Sequence, residues 1–215
     1  MSLPNLSPPS ILSATYWEDF FMGPAFVLGN GISRQLIDLN LLKTLGRVYG
    51  CNAIYREFSP DVLISTDAPI SERIQHEGYS RTHIHYTRKP LPDAGALRIA
   101  QQYFGYSSGP VAVAQAALDG ARAVYLIGFD MGPNRTGRFN NCYADTEFYK
   151  KSSANPTFAG NWTRQIKQIA KDFSKTSFFR VVGETTAEIR DLQAVPNLAH
   201  VDIVTFQKRL ESKEI

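Results

Sequence analysis

Four short segments carry residue types suited to holding a phosphorylated ligand. In the first, the apolar run Phe26-Val27-Leu28 leads into Gly29-Asn30-Gly31 and then Ser33. Glycines at such a turn let the backbone approach a ligand closely, and Ser33 is a candidate cap for a helix whose free N–H groups attract anions. The dinucleotide fingerprint GxGxxG is not met, because Arg34 stands at its third glycine and the next apolar run ends in Cys51-Asn52 rather than in an acid for a ribose hydroxyl; NAD is not expected. A ligand-free tight turn is the other reading of these glycines. In the second segment, Asn52 offers a donor and an acceptor for a nucleobase edge or a ribose, although asparagine also caps strand ends and starts turns.

The third segment, Ser107-Ser108-Gly109-Pro110, stands before an alanine-rich stretch. With Ser108 or Gly109 as N-cap and Pro110 as the first helical residue, hydroxyls and free N–H groups would meet an anion, or would simply begin a helix. In the fourth, the run Ala123 to Ile127 is followed by Gly128-Phe129-Asp130. Asp130 is suited to binding a sugar hydroxyl, orienting a loop or holding a metal. Beyond it lie Arg135, Arg138, Tyr143, Tyr149, Lys150 and Lys151, which would serve a phosphate or a leaving group, or a mobile, solvated loop.

The elements that would position these residues follow from the pattern of apolar runs. Strands are expected at Ala25 to Leu28, Val48 to Cys51, Val62 to Ser65, His83 to Tyr86, Ala123 to Ile127 and Phe178 to Val182, with helices at Ser33 to Leu45 (broken), Ile70 to Glu77, Ala94 to Tyr103, Pro110 to Ala121 and Trp162 to Ser174. This alternation predicts an α/β, Rossmann-like fold: a mostly parallel sheet with helices on both faces, and a long lid-like loop after the fifth strand. In such sheets ligands bind beyond the carboxyl ends of the strands, where all four segments fall. Residues 131–161 lack a steady apolar period and form the lid insertion of a single domain spanning 23–215, preceded by a proline-bearing arm over 1–22. The tail Val201 to Phe206 is expected to be a last strand followed by a short charged helix. His83 and His85, two residues apart, are expected to share one strand face in a structural role.

The chain has 215 residues, 43% of them hydrophobic and 20% charged, which excludes a disordered, collagen-like or coiled-coil chain. Two cysteines, Cys51 and Cys142, are too few for a disulfide framework or a zinc site. No apolar run reaches the roughly 20 residues that span a bilayer, so no transmembrane segment and a cytoplasmic, reducing location are expected. The net charge of +3 resolves into 10 Lys+Arg against 11 Asp+Glu over residues 1–130, and 13 against 9 over 131–215. That suits a phosphorylated or acidic ligand but is too diffuse for nucleic acid.

Taken together, Gly29-Asn30-Gly31-Ile32-Ser33, Cys51-Asn52, Ser108-Gly109 and Val124-Tyr125-Leu126-Ile127-Gly128-Phe129-Asp130 resemble the motifs of the bacterial sialyltransferases of glycosyltransferase family 42, in order and approximate spacing across residues 25–145. The same segments are similar to the wider superfamily that includes 6-hydroxymethylpterin diphosphokinase-like proteins. The resemblance implies a transferase that binds a nucleotide-activated sugar, CMP-sialic acid-like, and passes it to an unknown acceptor without a cofactor or metal. Asn30, Asn52 and Ser108, with Gly29, Gly31, Ser33, Ser107 and Gly109 around them, would hold the nucleotide; Tyr143 would support the departing phosphate, with Asp130 as the second catalytic candidate. Two departures stand out. Gly132 occupies the place of the family's other tyrosine, and no histidine falls in Phe158 to Thr163, where the family has its base, which leaves Asp130, Asp145 and Glu147 as candidates. The alternatives are a magnesium-dependent, ATP-using diphosphokinase-like enzyme with Asp67 and Asp130 as metal ligands, and a non-catalytic nucleotide-binding protein of the same fold. Homo-oligomers are common among such enzymes, but no interface is named by the sequence.

Overall fold

The computed structural model describes residues 23–215; the expected arm over 1–22 lies outside the described residues. Eight strands, β1 (Ala25–Leu28), β2 (Arg47–Cys51), β3 (Val62–Ser65), β4 (Ile84–Thr87), β5 (Leu97–Arg98), β6 (Ala123–Ile127), β7 (Ser177–Val182) and β8 (Leu198–Asp202), form one sheet in the order β5-β4-β3-β2-β1-β6-β7-β8. Every pairing is parallel. The chain winds outward from β1 to β5, then returns to the other side of β1 at β6, so the order reverses between β1 and β6. At such a switch point the loops leave in opposite directions and open a crevice.

Helices cover both faces, as the Rossmann-like expectation requires. One face packs Val27, Ile64, Val124 and Leu126 against α3 (Ser108–Leu118) and α4 (Gly160–Asp172). On the other, Phe26, Leu28, Val48 and Ile127 meet α1 (Leu39–Leu45), α2 (Ala68–His76) and α6 (Ile203–Ser212). A short α5 (Arg190–Gln193) precedes β8. Adjacent strand residues belong to opposite clusters because side chains alternate across a strand, and β1 is buried throughout.

Several local expectations are corrected. Ala94 to Tyr103 is not a helix: Leu97 and Arg98 add a two-residue edge strand, followed by a 3-10 turn at Gln101–Tyr103. The long loop therefore follows the sixth strand. The tail run divides at Asp202, which ends β8 and caps α6 through bonds from the Val204 and Thr205 N–H groups. Capping overrides the β-branched pattern there. Helix α3 starts earlier than expected, with Ser107 as its N-cap.

His83 lies before β4, exposed and stacked on Tyr79 at 4.2 Å, whereas His85 is fully buried between Ser65 Oγ at 2.6 Å and Ser80 Oγ at 2.7 Å. The two do not share a face. Burial lowers the His85 pKa to about 4. Between pH 6.5 and 4 the unfolded chain takes up a proton that the folded chain refuses, so stability is expected to decline as pH falls through that window, by up to about 3 kcal/mol. Melting temperatures measured across this range should show that decline flattened in His85→Gln.

Candidate functional site

The carboxyl ends of β1, β2, β3 and β6 and the start of α3 surround one cleft of about 490 Å³. At the switch point the turns after β1 and β6 are bonded together, Gly29 N–H to Ile127 O at 2.8 Å and Gly31 N–H to Gly128 O at 2.9 Å. A Cβ on Gly29 would stand 2.5 Å from Gly128 O, so this crossing demands glycine. Gly128 itself has φ +72°.

Gly29, Asn30, Gly31, Asn52, Ser107, Ser108, Gly109 and Asp130 all line the cleft. Ser33 and Tyr143 do not. Ser33 caps no helix; its N–H and hydroxyl both donate to the Asp130 carboxylate, which also accepts from Thr185 Oγ1 at 3.3 Å. Asp130 is 2% exposed, and its oxygens are committed to bracing the β1 turn. Tyr143 is buried behind the cleft, where its hydroxyl accepts from Arg34 at 3.1 Å and donates to Glu57 at 2.6 Å. Its ring packs 5.5 Å from that of Tyr149.

Tyr149 takes the position on the cleft wall. Its oxygen accepts from Asn30 Nδ2 and from the Ala53 N–H, both at 3.3 Å, which leaves its own O–H available to a ligand. Burial pushes the phenol pKa up, with opposing and reinforcing contributions from the Ala53 N–H and nearby charges, so the group is a proton-bearing donor. Asn30 is held from both ends, because Arg34 donates to its Oδ1 at 3.2 Å. Arg34, 3% exposed, also bonds Gly29 O and Glu57.

Asn52 is similarly oriented. It has φ +55°, a left-handed conformation that asparagine tolerates. Thr66 N–H donates to Ser108 Oγ at 2.9 Å, and that hydroxyl donates to Asn52 Oδ1 at 2.9 Å. The Asn52 N–H groups are thus left for the cleft. Met131 (φ +53°) and Phe148 (φ +73°) also line it, so left-handed non-glycine residues gather at this site.

The long loop, from Gly128 to Ala159 without helix or strand, closes the far side. The Cys142 N–H anchors it to Asn30 O at 2.7 Å. Of its basic residues, Lys150 alone lies on the cleft wall, while Arg135 pairs with Glu184. Asp145 accepts from the Ser152 N–H and Glu147 pairs with Arg73; neither lines the cleft. No histidine lines it either. Cys51 does, but its thiol donates to Leu28 O and burial raises its pKa to about 12.

Sequence reasoning did not single out Phe139, Phe148, Phe158 or Trp162, which give the cleft an aromatic wall. Phe158 is 80% exposed. Trp162 Nε1 donates to Ser107 Oγ at 3.1 Å, tying α4 to the α3 start. The available signal was the recurrence of phenylalanine in an otherwise polar loop.

No protein-family model matches the sequence, and no curated protein does. Among solved structures, the chain is similar to the sialyltransferase CstII from Campylobacter jejuni in complex with a substrate analogue, cytidine-5'-monophosphate, at TM-score 0.48 and 15% identity over 74% of this chain and 79% of that one. It is also similar to the same enzyme in complex with CMP-3FNeuAc, at TM-score 0.46 and 13% identity over 74% of this chain and 81% of that one.

Proposed function

We propose that this protein is a cytoplasmic, metal-independent glycosyltransferase that binds a nucleotide-activated sugar in the cleft at the β1/β6 switch point and transfers the sugar to a hydroxyl acceptor. The observation that carries this reading is the convergence of oriented donors: Asn30, Asn52 and Tyr149 each have their acceptor atom occupied by the protein and a proton left for a ligand. Donors arranged in advance suit a phosphate and the carbonyl and ring-nitrogen acceptors of a pyrimidine. Lys150 adds positive charge, and the aromatic wall suits stacking on a base or on the apolar face of a sugar. CMP is the nucleotide that the motif resemblance implies.

Tyr149 is the group best placed to donate to the leaving phosphate, in the role that the motifs alone assigned to Tyr143. The diphosphokinase-like alternative requires Asp67 and Asp130 as paired metal ligands, and the bonds from Ser33 and Thr185 to Asp130 disfavour it.

A thermal-shift titration with CMP, UDP and ATP, each with and without Mg²⁺, tests the reading. CMP at 100 times its Kd should add about 2.7 kcal/mol of stability without metal. In Asn52→Gly, which keeps the left-handed backbone free and removes only the amide, that gain should largely vanish. A selective response to ATP with Mg²⁺ would instead support the diphosphokinase-like enzyme.

A further inference from the structure

Among the described residues three aspartates, Asp38, Asp67 and Asp202, occupy helix N-caps, where a carboxylate ordinarily accepts from the N–H groups of the first turn. Asp38 accepts from the Asn40 N–H at the start of α1, and Asp202 from those of Val204 and Thr205 at the start of α6. Asp67, the N-cap of α2, makes no such bond. It is exposed, it lines the cleft, and its carboxylate has no hydrogen-bond donor among the described residues. It lies close enough to two cleft groups to add to the effect of burial in raising the pKa of the Cys51 thiol and of the Tyr149 phenol.

The hydrogen-bonding character of the surrounding wall makes this carboxylate singular. Asn30 and Asn52 are turned so that they donate, Tyr149 has a proton to give, and Lys150 has only donors. The second cleft carboxylate, Asp130, is used up by Ser33 and Thr185. A ligand meeting this part of the wall needs acceptors opposite Asn30, Asn52, Tyr149 and Lys150, and donors opposite Asp67, the cleft carboxylate whose oxygens have no hydrogen-bond partner among the described residues. Asp67 follows Thr66, whose N–H begins the chain of bonds through Ser108 to Asn52, so that place adjoins the asparagine at the end of β2.

Resting on the donor reading above, we propose that Asp67 binds the cis-diol of the ligand's ribose, its two carboxylate oxygens accepting from the 2'- and 3'-hydroxyls, and that it makes the site selective for ribonucleotides over deoxyribonucleotides. Two adjacent hydroxyls are a donor pair matched to one carboxylate, and hydrogen bonds to a charged partner are stronger than neutral ones. The acid sits at the end of β3. The missing dinucleotide fingerprint concerned the end of β2, where Asn52 stands, and the sequence pattern offered Asp67 only as a metal ligand, not as a ribose-binding acid.

Titration calorimetry with CMP and 2'-deoxy-CMP tests the assignment. The wild-type chain should bind CMP about 10- to 100-fold more tightly than 2'-deoxy-CMP. Asp67→Asn and Asp67→Ala should bind the two with nearly equal, weakened affinity. Because Asp67 caps nothing, both variants should melt close to the wild type, so a lost preference reads as lost recognition rather than lost fold. Equal binding of the two nucleotides by the wild type would overturn the assignment while leaving the donor reading intact. A preference that survives in Asp67→Ala would overturn it as well, as would a variant that keeps CMP affinity but loses sugar transfer, since the acid would then serve the acceptor. Absence of any CMP binding by the wild type would overturn the donor reading, and this assignment with it.

Discussion

Replacing Arg180 with leucine should destabilise the protein by about 3–5 kcal/mol, the range for removing one member of a buried charged network. Arg180 lies on β7 and is fully buried. Its guanidinium donates to Phe129 O at 3.0 Å, Asp130 O at 3.1 Å and Ala187 O at 3.0 Å. These carbonyls belong to two irregular segments that have no sheet or helix partner for them. Leucine would fill much of the space but remove the donors to Phe129 O and Ala187 O and leave Asp130 O with the Ala187 N–H alone, at 2.8 Å, and each such loss is costly. Burial brings the Arg180 pKa down to about 10, with the Asp130 charge opposing, so the site bears the desolvation cost in exchange for a fixed loop. Urea denaturation of Arg180→Leu and Arg180→Lys decides the matter: lysine should recover part of the loss, and a leucine variant within 1 kcal/mol of wild type would contradict the network's role. Because Phe129 and Asp130 line the cleft, ligand binding should weaken along with the fold.

The second large effect is catalytic. Under the proposed function, Tyr149→Phe should lower kcat for sugar transfer by about 10²- to 10³-fold, as expected when one preorganised donor to developing charge is removed. The phenol is suited to that task because the Asn30 and Ala53 N–H groups both point at its oxygen and direct its proton away from them. Tyr143→Phe breaks the bonds with Arg34 and Glu57 instead, so it should act mainly on stability. Steady-state kinetics with CMP-sialic acid, following CMP release, would separate the two. A large kcat loss in Tyr143→Phe with Tyr149→Phe unaffected would reverse the assignment. Phenylalanine at 149 also leaves two donors without an acceptor, so a modest fall in melting temperature should accompany the kinetic defect.

The strand runs and their glycine, asparagine and serine endings were legible from local pattern alone. In a parallel sheet every strand ends at the same edge, so once Phe26 to Leu28, Val48 to Cys51 and Ala123 to Ile127 are recognised as strands, the residues after them must meet. Four or five residues of mostly apolar character, bounded by glycine or asparagine, suffice to mark such a strand. The two-residue strand β5 is too short to leave a periodic signal, and its sequence reads equally as helix.

What neighbours what across the cleft was decided only by the tertiary structure. Tyr143 and Tyr149 lie six residues apart in a loop without period, and which of them faces the ligand depends on Arg34 and Glu57 capturing the first and Asn30 and Ala53 orienting the second. Asp130 looked available as a strand-end acid, yet Ser33, 97 residues earlier, occupies it. Asp67 suggested only a metal ligand beside Asp130; in the fold it is the N-cap residue of α2 and makes no cap bond. The sequence by itself determined six of the eight strands, the edge at which they end and the residue types brought there, because strand periodicity and glycine turns are local. Side-chain direction and hydrogen-bond occupancy required the folded chain, since each is set by partners distant in sequence and a polar atom is free for a ligand only when no such partner has claimed it.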